Sequence, residues 1–85
     1  MKEFNIYISN PVEVIAVEWD GSIELFDQLK RLNPKIELIF KDCLKITTLE
    51  GQLIANVGDF ILQNKHGDTY TYKTEVFNKN FQRVT

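Results

Sequence analysis

The stretch VEVIAVEW, Val12 to Trp19, constrains this chain more than any other. Its middle is apolar on both faces of a strand, through Val14, Ile15, Ala16 and Val17. A strand with one wet face alternates apolar and polar residues, whereas an unbroken apolar run needs cover on both sides. The strand must therefore lie inside a sheet with a layer on each face, or close its second face against another subunit. At 85 residues the chain is one small domain, residues 1–85. A domain of this size buries only roughly 60–65% of its unfolded surface. Its thin core, together with the two-faced strand, leads us to expect self-association, as a dimer or larger oligomer.

The flanking segments define the rest of the fold. FNIYIS, Phe4 to Ser9, alternates with a strand period, and Asn10-Pro11 breaks it. From Ser22 the period changes to helical: Ile23, Phe26, Leu29 and Leu32 recur, with Leu25 beside them. Ser22 is a good N-cap, Glu24 suits the first turn, and Asn33-Pro34 stops the helix. Lys35–Phe40 reads as a strand, and residues 44–62 as a meander turning at Glu50-Gly51 and at Val57-Gly58-Asp59. His66-Gly67 closes a hairpin onto DTYTY. Thr74 is placed to cap a short last helix with Val76, Phe77 and Phe81 facing inward, before a final strand near residues 82–84. The order is β-β-α-β-β-β-β-β-α. It predicts an α+β domain: a mainly antiparallel sheet, a principal helix at about 22–32 on one face, and a short helix at about 74–80.

Charge and composition narrow the function. The net charge is −2, which argues against a general DNA binder. The balance is uneven: residues 1–64 carry six basic and ten acidic groups, but Lys65, Lys73, Lys79 and Arg83 follow against Asp68 and Glu75. This mildly basic tail favours an anionic ligand near the C-terminal end. Cys43 is the sole cysteine, so no intramolecular disulfide forms, and between Phe40 and Leu44 it is expected to be a buried thiol. Without a signal-peptide core or a long apolar run, the chain is expected in the cytosol, with no membrane partner.

Catalysis is not expected. Acid–base or nucleophilic chemistry needs an activated group held by a partner. The chain has one His and one Cys, and no nucleophile elbow, phosphate-cradling glycine loop or metal-ligand spacing. No catalytic residue, metal or cofactor is assigned. His66 is an exposed turn residue on this reading, and Asp20, Asp59 and Asp68 lie at turns where carboxylates cap backbone N–H groups.

The aromatic residues of the C-terminal half carry the binding expectation. Tyr70 and Tyr72 share one face of their strand. That face is either core or a stacking platform, with Thr69, Thr71 and Lys73 on the opposite, exposed side. A tyrosine ring flanked by Lys65, Lys73 or Arg83 is a common way to hold a nucleotide. Trp19, at a strand end before Asp20-Gly21, is a candidate second wall. The expected ligand site is thus Trp19, Lys65, His66, Tyr70, Tyr72, Lys73 and Arg83.

Residues 49–82 also resemble a family of small, mostly uncharacterised phage and prophage proteins. These end in L-E-G, then P-G-D-Y/W-I-I, then G-E-x-Y-P-C-K-P-D-I-F and an aromatic. The matching residues are Leu49-Glu50-Gly51, Gly58-Asp59-Phe60-Ile61-Leu62, Gly67-Asp68, Tyr70, Lys73, Val76-Phe77 and Phe81. PVEVIAVEWDGS, residues 11–22, is similar to the family's opening strand. Val57 stands for the usual proline; Thr71, Tyr72 and Thr74 stand for the Pro-Cys pair and the following proline. The resemblance implies a phage protein acting in the host cytosol. Two readings follow: sequestration of a small nucleotide-like signal of host defence, or inhibition or adaptation of a host protein through a sheet face, sheet edge or aromatic surface. A structural phage component is a third.

Overall fold

The computed structural model describes residues 3–9 and 12–84. The strand break expected at Asn10-Pro11 lies outside the described residues. Strand β1 is Asn5–Ser9, β2 Val12–Glu18, β3 Ile36–Leu38, β4 Leu44–Thr48, β5 Gly51–Ala55, β6 Phe60–Gln63, β7 Thr69–Tyr72 and β8 Gln82–Arg83. Helix α1 is Ile23–Leu32 and α2 is Thr74–Asn80. The expected α+β order is present. The strands form two sheets, however: a five-stranded one in the order β7-β6-β2-β1-β8 and a three-stranded one in the order β3-β4-β5. Every strand pairing among the described residues is antiparallel.

The two-faced strand β2 is the middle of the larger sheet, as its apolar run demands. One face is covered by α1 and the smaller sheet. There Val17, Trp19 and Ile61 pack with Leu25, Leu29, Ile36, Leu44, Ile46 and Ala55. The other face is covered by α2, where Val14, Ala16 and Leu62 meet Phe77, with Tyr7, Phe60, Tyr72 and Phe81 around them. Phe77 is stacked between Phe60 (centroids 4.1 Å apart) and Phe81 (4.8 Å), with Tyr7 edge-on at 4.7 Å. The cover that seemed to call for a second subunit is therefore supplied within the chain.

Helix α1 starts and stops where its sequence directs. The Leu25 N–H donates to Ser22 Oγ at 3.1 Å, and the Asn33 N–H closes the last turn on the Leu29 carbonyl at 2.9 Å. Its buried stripe is Leu25 and Leu29, four residues apart; Ile23 and Leu32 are exposed, contrary to the spacing argument. The inward side of α2 is likewise narrower than expected: Phe77 is buried and Val76 is exposed. Thr74 is not the cap of α2 but its first residue. The cap position is Lys73, and the Thr74 hydroxyl instead donates to the Gly58 carbonyl.

The third strand is shorter than its sequence suggests. It ends at Leu38, and Phe40–Asp42 forms a 3-10 turn in which Lys41 and Asp42 both take φ near 60°. That turn throws Phe40 outward, 81% exposed. Cys43 behind it is half-buried rather than buried, and its Sγ lies 3.1 Å from Asn56 Oδ1.

Candidate functional site

The residues expected to share a site are dispersed. Trp19 is wholly buried, at 0% exposure, and cannot form the wall of a ligand site. Its indole belongs to the cluster under α1, on the opposite side of the five-stranded sheet from Tyr72. A tryptophan at a strand end before Asp-Gly reads as a wall bordering a loop, but the chain folds α1 back over it. Tyr72 is half-buried, paired across from Phe60 and edge-on to Phe81 at 5.7 Å, so its ring is part of the second core cluster. Tyr70, one pleat along on the same face, lies beyond that cluster and is 41% exposed.

The cations are no closer together. Lys65 and His66 sit in the exposed β6–β7 turn, whereas Lys73 lies at the other end of β7, roughly 14 Å away at 3.4 Å per residue. Arg83 is on β8, at the opposite edge of the sheet from β7 and so roughly 19 Å from it across intervening strands. There it donates to Asn5 Oδ1 at 3.0 Å. The β6–β7 turn itself is organised by Asn64, whose Oδ1 accepts from the His66 and Asp68 backbone N–H groups at 2.9 and 3.0 Å. Turn carboxylates act as their positions suggest: Asp20 Oδ1 accepts from the Ser22 N–H and Asp59 Oδ2 from the Asn56 N–H, both at 2.9 Å.

The hairpin does border a large concavity, along its β7 edge, with Tyr70 in the lining and Tyr72 outside it. A groove of about 620 Å³ runs between the outer strands of the two sheets. One wall is the β4–β5 hairpin, Thr47 to Leu53; the other is Gly67–Tyr70; Leu32, Asn33 and Lys35 form the end beside α1. The first residues of both β5 and β7 line it, whereas Ala55 and Tyr72 do not. The lining thus stops partway along both strands, at Leu53 and Tyr70, and β5 and β7 approach within 8 Å between Cα atoms. No backbone hydrogen bond joins β5 to β7 among the described residues.

Backbone geometry makes the β7 wall a hydrogen-bonding one. The Asn64 N–H donates to the Asp68 carbonyl at 3.1 Å, and the register continues through Gln63↔Thr69 and Leu62↔Tyr70. Antiparallel pairs alternate between bonded and non-bonded, so Thr69 and Thr71 direct their N–H and C=O groups away from β6. Thr69, expected to be exposed, is buried: its Oγ1 accepts from Asn33 Nδ2 at 3.1 Å. That bond pins the end of α1 to β7. Asn33 Oδ1 in turn accepts from the Lys35 N–H at 3.0 Å, and Lys30 Nζ donates to the Ile36 carbonyl at the same distance. The rim carries both signs, Lys35 against Glu50 and Asp68.

Nothing in the sequence pointed to this groove, because it depends on two edge strands that belong to separate sheets. The nearest signal was Asn33, legible only as a helix stop. Compared with family models, with curated proteins and with solved structures, the chain matches none of them. No helix among the described residues is long and apolar enough to cross a membrane.

Proposed function

We propose that this protein is a non-enzymatic binding module whose groove takes a short extended segment of a partner polypeptide. The observation that carries the reading is a pair of unpaired strand edges, β5 and β7, facing each other across an open groove. Edge strands recruit extended peptides through main-chain hydrogen bonds, with side-chain positions adding selectivity. A segment laid in the groove is able to add to one of the two edges, because β5 and β7 approach within 8 Å between Cα atoms, less than the roughly 9.6 Å that a strand inserted between them would need. The lining ends at Leu53 on β5 and Tyr70 on β7, which limits the segment to a few residues. The resemblance of residues 49–82 to small phage proteins makes a host protein the partner to seek. Lys65, Lys73 and Arg83 lie too far apart to act together on one anion, which favours a polypeptide over a nucleotide-like signal.

The test is a selection of short peptides from a random displayed library, followed by hydrogen exchange on the bound complex. Slowed exchange of the Thr69 and Thr71 amides is the expected outcome. Peptides that bind while leaving those amides unprotected count against strand addition. A parallel thermal-shift panel of cyclic and linear nucleotides is expected to be flat. A nucleotide at 100 times its dissociation constant would add about 2.7 kcal/mol of stability and favour the small-ligand reading.

A further inference from the structure

We infer that the opposite end of the molecule is a second docking surface, built around Phe40 and suited to a basic protein partner that presents an apolar pocket. This surface lies past the N-terminus of α1, whereas the groove lies past its C-terminus, roughly 15 Å away along the helix.

Adjacent loops make it. Gly21 has φ of +81°, and a Cβ there would lie 3.2 Å from Val57 Cγ2 and 3.7 Å from Asp42 Cβ. The β2–α1, β3–β4 and β5–β6 loops therefore meet at Gly21. Trp19 secures them from beneath: its Nε1 donates to the Asp42 carbonyl at 2.6 Å, and its backbone exchanges 2.8 Å bonds with Gly58 and Asp59. The surface is held in shape before any partner arrives, which lowers the ordering cost of association.

On that support stands a large apolar side chain that the core does not use. Phe40 is 81% exposed, with Lys41 Nζ 5.7 Å from its ring centroid; Val57 on the β5–β6 loop and Ile23 at the first position of α1 are exposed too. Exposed aromatic rings on rigid supports are the usual anchors of interfaces, where they fill pockets on the partner. The left-handed Lys41 and Asp42 turn Phe40 outward although neither is glycine. Such conformations gather at functional sites.

The rim identifies the partner's charge. Asp20, Asp42 and Asp59 come from the loops, and Glu24 from the first turn of α1; Lys41, and Lys73 beside Gly58 through Thr74, are the cations nearby. The acidic excess repels nucleic acid and anionic membrane and attracts a basic protein surface.

The test uses a fluorescein-labelled amphipathic helical peptide of Leu and Arg, with a Leu and Glu peptide as control. Anisotropy is read on the parent, Phe40→Ala and Asp42→Asn, whose folding is checked by circular dichroism. The Leu/Arg peptide is expected to bind the parent, to lose about tenfold on Phe40→Ala, and to weaken in high salt. Amide shifts are expected at residues 20–22, 40–43 and 56–59. Equal affinity for Phe40→Ala, equal binding of the Glu peptide, shifts confined to the groove residues 47–53 and 67–70, or no binding at about 1 mM would each overturn the inference.

Discussion

The indole Nε1 of Trp19 donates to the backbone carbonyl of Asp42 at 2.6 Å. The bond joins a buried core residue to the turn that carries the most exposed phenylalanine of the chain. Asp42 and Lys41 are both in the left-handed region, where a residue with a Cβ is strained by about 1–2 kcal/mol. That strain persists only if the surroundings impose it, and the Trp19 bond is the longest-range restraint on the turn. Trp19→Phe keeps much of the apolar bulk and deletes the donor. It is expected to cost about 2–3 kcal/mol, combining a lost hydrogen bond with a partly unfilled core site. Urea unfolding measures the loss, and hydrogen exchange is expected to show faster opening at residues 40–43 than elsewhere.

Gly58 and Gly67 have φ of +99° and +84°, and a Cβ at either would meet no atom within 4 Å. Alanine at these positions is therefore penalised by backbone conformation alone. Each substitution is expected to cost about 1–2 kcal/mol, a fall in melting temperature of roughly 4–16 °C for a domain of this size. Gly67→Asn should cost less than Gly67→Ala, because asparagine tolerates the left-handed region better. Thermal melts of the three variants check both the size and the order.

The Lys45–Glu37 pair joins β4 to β3 at 3.8 Å, with the side chains 30% and 53% exposed. At such exposure, water screening and side-chain entropy offset most of the attraction. Glu37→Gln is expected to change stability by less than about 0.5 kcal/mol. A larger loss in denaturant titration would show that the smaller sheet depends on this contact.

What the sequence made legible is what local chemistry decides. Ser22 capped a helix that Asn33-Pro34 stopped, because both signals act within a few residues. The uninterrupted apolar run of β2 required cover on both faces, and β2 is the middle strand with a core cluster on each side. Three features escaped. Strand periodicity says which side is buried but not which strands pair, so the division into two sheets, and with it the groove between β5 and β7, was hidden. Phe40 looked like the end of a strand because the turn after it uses Lys41 and Asp42 where a turn signal would be glycine. Trp19 looked like the accessible end of a strand because burial there is decided by what folds over it, here α1 and β4. The expected site residues are dispersed for the same reason: Lys65 and Lys73 lie at opposite ends of β7, Arg83 is at the far edge of the sheet, and Trp19 is beneath α1.

The aromatic cluster beneath α2 gives the last prediction, because it separates core from surface along one strand. Phe77 is fully buried between the stacked rings of Phe60 and Phe81, Tyr72 is half-buried against Phe81, and Tyr70 is largely outside the cluster. Truncation cost scales with the bulk removed from a packed site and with how poorly the site collapses. Phe77→Ala is expected to cost about 3–5 kcal/mol, enough to unfold much of a small domain at room temperature. Tyr72→Ala should cost about 1.5–3 kcal/mol, since part of its ring already meets water. Tyr70→Ala should stay within about 1 kcal/mol. Chemical unfolding of the three variants tests the order. If Tyr72→Ala proves as mild as Tyr70→Ala, the Tyr72 ring is not core, and a binding role for that face of the hairpin returns.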